Sequence, residues 1–575
     1  MVIQLVQVGV EVRRVETRTP RRRGDGPGVA GALLATVLSP AVFLAVFLAV
    51  FLAVFLAAPP AHAQSAAPFR DFESYVQWMQ SKHKAPFDRE GAIMPKGSAE
   101  TLRTAALVRA TSLAASTSGI SSTAQNVKVN QDRNPWPKAE IAGAVDPSGK
   151  NYAVMSNDFR QNYDRMFFHS STNGGKTFTD DAMVQGFSPY LGFSPFSFQS
   201  DPGLSFDANG LSYLSTISGN AVFDFTNGYL NFDTEIEVAQ GYANGTYASL
   251  VPTAIDDQPC NGLLSGALTC DASLDKPLIT TDAVAGSPNL GTTYVYYTFF
   301  CNSPVAGFCT DGSATNIPAF SSVILESHSA GAGLPFSLPA QVSGTLTQAQ
   351  FSNMVVDSQG TPHVFFDDFT GSPNINMWEA RLTEGTWVVS AQPVASFTFN
   401  GLANPNWSFR DLGAVAPGCG GRGDSAYCAF SASQIAGGSA EGTASVYLAS
   451  INLKKGTSSV HRVNNDAVGN LKDHFFGWAT ATSKGVFVGW YDNRKDPFGI
   501  KVEYYVGLST DGGKTFPTQK AISDAPFNPC VGFPGCGFFG DYTQLVSGSD
   551  GVVHAAWSDT RDGASMQIYS QSVSW

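Results

Sequence analysis

Three triplets of the form Asp-x-Arg stand out for their chemistry: Asp158-Phe159-Arg160, Asp492-Asn493-Arg494 and Asp559-Thr560-Arg561, each after an apolar stretch. A guanidinium is a planar fork that can grip a carboxylate through two parallel hydrogen bonds. Three of them gathered at one place would suit an anionic ligand. The same spacing also serves architecture, because an arginine can fold back on the aspartate two residues before it and stiffen a loop. Recurrence at equivalent positions favours this second use. Either way, the fold must return the triplets to one face.

A repeat that does so is visible in the sequence. Ser509-Thr510-Asp511-Gly512-Gly513-Lys514-Thr515-Phe516 follows an apolar, aromatic run, and Ser171-Thr172-Asn173-Gly174-Gly175-Lys176-Thr177-Phe178 repeats it more than 300 residues earlier. Each string has the makings of a hairpin tip: a side chain that bonds its own backbone, glycines for φ > 0, and an aromatic anchor. From Asn126 onward the chain divides into units in which an apolar strand ends near Asp-x-x-Gly and further apolar strands follow, as in Val355-Val356-Asp357-Ser358-Gln359-Gly360 and then His363 to Phe366. Seven such units of about 65 residues predict an all-β protein, a β-propeller of seven blades, with six as the alternative if the unit around Arg410 to Val463 is an insertion. The last unit has room for three strands, and Asn126 to Asn130 is expected to supply its fourth and close the ring. Turns after strands one and three then share one face. The triplets, which follow strand two, share the other with the starts of strand one.

The two strings resemble the Asp box of the sialidase superfamily, a feature that closes the hairpin between the third and fourth strands of a blade and says little about activity. The resemblance extends to a few site positions. Sialidases open their first blade with Arg-Ile-Pro, end its second strand in an acidic-x-Arg, and place an Asp acid/base before the box; here stand Arg133-Asn134-Pro135, which departs from the motif at its middle residue, Asp158-Phe159-Arg160 and Asp164. Their last blade begins with a Tyr nucleophile, matched by Tyr542 in Tyr542-Thr543-Gln544-Leu545. The resemblance implies a retaining hydrolase of terminal acidic sugars, in which a phenol attacks where a carboxylate would be repelled. Tyr542 would be the nucleophile, Asp164 the acid, and Arg133, Arg160, Arg494 and Arg561 the substrate-binding cations. Glu379 and Glu503 are candidates for the carboxylate that takes the Tyr542 proton, and Arg381 and Arg410 for further arginines. A non-catalytic propeller that binds extracellular glycan or protein is the alternative. The expected partner is a glycan or glycoconjugate, bound by a monomer with no cofactor and no metal.

The rest of the sequence sets the context. Formal net charge is −12, and residues 1–63 hold six arginines against Glu11, Glu16 and Asp25, so the remainder is more acidic still. An acidic body argues against nucleic acid as a partner. Arg21-Arg22-Arg23, an apolar run from Val29 to Ala58 and the small-residue end at Ala63 predict a signal peptide over 1–63 and a secreted protein. An uncleaved anchor is the rival, which would put the protein on a membrane, since the run exceeds roughly 20 residues. Residues 64–125 carry helical spacings and predict a short helical or partly disordered lead-in to the propeller at 126–575. Eight cysteines lie as near neighbours, and an exported chain should pair them: Cys260 with Cys270, Cys301 with Cys309, Cys419 with Cys428 and Cys530 with Cys536. Asp473-His474 and Asp275-Lys276 read as loop-bonding groups at strand starts, and His363 and His554 as core histidines.

Overall fold

A computed structural model describes residues 121–574 apart from segments 123–124, 161–163, 184–186, 189–193, 196–197, 225–228, 242–252, 259–271, 302–307, 311–315 and 332–333. The signal segment, most of the helical lead-in and the pair Cys260 and Cys270 lie outside the described residues. All described residues belong to one compact unit, Ser65–Trp575.

The fold is a seven-bladed β-propeller. Each blade is an antiparallel sheet whose first strand lies innermost: Lys138–Val145, Phe198–Phe206, Ala272–Thr281, Ala349–Val356, Gly418–Arg422, His474–Thr482 and Gln544–Ser547 for blades 1 to 7. Each of these neighbours the next around the circle, and that of blade 7 neighbours that of blade 1. The region expected to be an insertion in a six-bladed ring is a blade of its own, with strands Gly418–Arg422, Ser425–Ala432, Ser445–Asn452 and Thr457–Arg462.

The ring closes as the strand pattern predicts. Val127–Lys128 and Ser121–Ser122 both pair antiparallel with Gln567–Ser574, the third strand of blade 7. Closure leaves blade 7 no open outer edge there. Apolar alternation fills the seams between blades: Trp490, Trp557, Tyr152, Tyr294 and Tyr296 are fully buried.

Both Gly-Gly strings form the same hairpin tip between strands three and four. Ser509 Oγ donates to Asp511 Oδ1 (2.7 Å) and accepts from Gly513 N (2.8 Å), while Asp511 Oδ1 accepts from Lys514 N and Thr515 N (3.0 Å each). Asn173 makes the equivalent bonds to Lys176 N (3.1 Å) and Thr177 N (3.0 Å). Gly175 and Gly513 sit at φ of 80° and 89°, where an L side chain is strained. Phe178 and Phe516 fold back into the core.

Three disulfides, Cys301–Cys309, Cys419–Cys428 and Cys530–Cys536, follow the consecutive pairing.

Candidate functional site at the channel mouth

The site is made by a recurrent irregularity. Near its start, strand one of blades 1, 2, 3, 4 and 6 carries one extra residue relative to strand two. At each bulge one residue adopts a left-handed conformation: Glu140 (φ 53°), Asp201 (55°), Lys276 (47°), Phe351 (56°) and Phe476 (54°). None is glycine, so each costs about 1–2 kcal/mol of backbone strain. Such bulges re-aim side chains out of the strand's alternation. Blade 7 prepares its own start with Gly540 (φ 92°), where a Cβ would press on Glu140 N at 3.0 Å, and then presents Asp541 and Tyr542.

Asp541 is the hub. It forms an ion pair with Lys276 Nζ at 3.0 Å and accepts from Arg410 Nε at 3.1 Å, and a second Arg410 nitrogen bonds its other oxygen. Arg410 also reaches Glu140 Oε1 at 3.7 Å and lies over the Phe538 ring. Glu140 accepts from the Asn157 side-chain amide, and Asn157 Oδ1 in turn accepts from Asp201 N at 2.9 Å. Asp201 accepts from Ser200 Oγ (3.0 Å) and Lys276 N (3.3 Å). Lys276 Nζ sits 4.4 Å from the Phe351 ring centre and 5.2 Å from that of Tyr542. Glu140, Asp201, Lys276, Asp541 and Tyr542 come from four blades and Arg410 from the 399–417 connection, and none of the six is more than 9% exposed.

The cluster drives its carboxyls apart. Burial, then the neighbouring Asp201 and Asp541, push Glu140 well above the usual carboxylate range. Burial would raise Asp541 too, but Arg410 and Lys276 outweigh it and hold this carboxylate below that range. Burial also pushes the Tyr542 phenol well up, reinforced by Asp201, Glu140, Asp541 and Asp275. Its Oη donates to Pro202 O at 3.4 Å.

Asp164 and Tyr542, from blades 1 and 7, both come beside Asp201. Asp164 is fully buried, which raises its carboxyl well above the ordinary value. Each triplet arginine lies on its own aspartate. Arg160 Nε donates to Asp158 Oδ2 (2.9 Å), Arg494 Nε to Asp492 Oδ2 (2.7 Å) and Arg561 Nη2 to Asp559 Oδ2 (2.5 Å). Their planes stack on Phe167, Tyr505 and Tyr569. Arg133 is exposed ahead of blade 1. Glu379 bonds His363 (2.7 Å) and Glu503 bonds Lys495 (3.1 Å); Glu140 is the glutamate beside Tyr542. Asp473 bonds loop backbone, accepting from Ala403 N, Asn404 N and Ala444 N. Lys276 departs from its expected loop role and enters the buried cluster. The one sequence sign of these positions is a charged residue before proline at a strand start, Asp201-Pro202 and Lys276-Pro277.

Among the described residues no group of three or more His, Cys, Asp or Glu side chains is arranged to hold a metal ion. No family model matches the sequence, and no curated protein matches it. Similar solved structures include a protein of unknown function from Dyadobacter fermentans (TM-score 0.39, 11% identity, 79% of this chain and 99% of that one). They also include a Penicillium chrysogenum alpha-L-arabinanase with arabinobiose (0.38, 9%, 78% and 97%) and a Hadza microbial sialidase (0.37, 13%, 71% and 73%). Likeness at this level says nothing of activity.

Proposed function

We propose that this chain is an exported, glycan-acting propeller that cleaves a glycosidic bond at the channel mouth. The observation that supports this most is the buried cluster in which Lys276 and Arg410 hold Asp541 below the usual carboxylate range while Glu140, beside it, is pushed well above that range, with Tyr542 next to both. Carboxyls whose environments push them apart divide acid and base work between them. In this mechanism Tyr542 Oη bonds the anomeric carbon as the glycosidic C–O bond breaks. Its proton passes to Asp201, and Glu140 protonates the leaving oxygen. Water then releases the sugar with retention. The sialidase-like version assigns the acid to Asp164, the cations to Arg133, Arg160, Arg494 and Arg561, and a terminal acidic sugar as substrate. The disulfides suit an oxidising, exported setting.

A non-catalytic glycan binder is the second candidate, favoured by the raised Tyr542 phenol and by arginines already held on their own aspartates. Release of fluorophore from aryl glycosides, a sialoside beside neutral ones, by the full-length protein separates the two. Turnover lost in both Tyr542→Phe and Glu140→Gln supports the hydrolase, and loss in Asp164→Ala supports its sialidase-like version. Folded wild-type protein without turnover on either class removes it in favour of the binder.

A further inference from the structure

The channel mouth has matched its cations before any ligand arrives. Lys276 and Arg410 both lie on Asp541, and Arg410 also faces Glu140. Asp201 and Asp275 add further negative charge beside Tyr542. Both buried cations of the cluster are therefore already met by acidic groups, Asp541 and Glu140, with Asp201 and Asp275 close by.

The same matching extends across this face of the ring. Arg160 is answered by Asp158 and Asp132, Arg494 by Asp492 and Asp466, Arg561 by Asp559 and Asp524, and Arg462 by Glu441. An incoming carboxylate would have to displace Asp541 from Lys276 and Arg410. Taking a charge out of water is repaid only where a counter-charge is available for it. Hydroxyl groups face no such barrier. The cluster offers them acceptors on Asp201 and Asp541, and the Tyr542 hydroxyl as donor or acceptor.

We infer that the channel mouth takes a neutral glycosyl unit rather than an acidic one. The inference rests on the channel mouth being the glycan site, and it departs from the substrate class that the sialidase resemblance implies.

Binding of the full-length protein to a glycan array tests it, with neutral pentose- and hexose-terminated oligosaccharides beside sialylated and uronic-acid-terminated ones. Neutral termini are expected to bind at least about tenfold more strongly than acidic ones, with no change between low and high salt. Asp541→Asn removes one negative charge from the cluster and should raise binding of the acidic glycans about tenfold. Asp201→Asn makes the same change away from the ion pair, should Asp541→Asn fail to fold. Preference for acidic termini, or binding to neither class, overturns the inference. Neutral binding without turnover upholds it while removing the hydrolase, so the two failures are told apart.

Discussion

At the scale of single residues, burial decides which groups carry charge. Asp541 is fully buried and held below the usual carboxylate range because two cations meet it, whereas burial and the neighbouring Asp201 and Asp541 push Glu140 well above that range, although Arg410 comes within 3.7 Å and Lys276 opposes them. Removing one partner of a buried ion pair costs about 3–5 kcal/mol, so Lys276→Met should lower the unfolding midpoint sharply, a result thermal denaturation can check. Glu237 on blade 2 follows the same rule. It accepts from Ser218 Oγ and from Gln199 Nε2, yet burial still pushes it up to about 7. The folded protein thus keeps a proton that the unfolded chain releases near 4.5. Between those two values the folded state binds more protons, so stability falls as pH rises. Glu237→Gln should abolish this loss, worth up to about 3 kcal/mol. Denaturant unfolding at pH 4 and pH 8 measures it, and parallel pH slopes for variant and wild type would contradict the assignment.

At the scale of elements, the hairpin tips and the bulges show what a sequence does and does not display. The tip is legible because every contact is local: serine, Asp or Asn, glycine and threonine bond within seven residues of each other. Asn173 makes the backbone bonds that Asp511 makes, so Asp511→Asn should be nearly neutral. Asp511→Ala should cost about 1–2 kcal/mol. Equal destabilisation by the two, in chemical denaturation, would show that the charge and not the hydrogen-bond pattern holds the turn. The bulges are a different matter. Alternation implies that Asp541 and Tyr542 face opposite ways, but regular strand begins only at Gln544, and both residues border the same cluster. Glu140, Asp201 and Lys276 are turned into the channel by a left-handed backbone that no residue type announces. Arg410 is delivered by an irregular connection, from a blade on another part of the ring.

At the scale of the whole molecule, the ring is legible in the sequence because the last of seven similar units has room for only three strands, and the segment at Asn126 precedes the first unit and can pair there. Asn126 is also the latch. Its side chain donates to Ile522 O and Gln571 Oε1 (2.8 Å each) and accepts from Asp524 N (2.7 Å) and Arg561 Nη2 (2.8 Å). Asn126→Ala should destabilise the fold by about 2–4 kcal/mol while leaving glycan binding intact. Loss of binding without loss of stability would contradict that role. The proposed site is less legible because it exists only once four blades and a connection are brought together, far apart in sequence. Its working claim is that Glu140 gives a proton at the channel mouth. The most direct measurement is hydrolysis of aryl glycosides by the full-length protein and by Glu140→Gln, across pH. We expect the variant to lose about 10²–10⁴-fold in rate and to lose the alkaline limb that deprotonation of Glu140 imposes on the wild type. A variant within twofold of wild type, with the same pH profile, would contradict it.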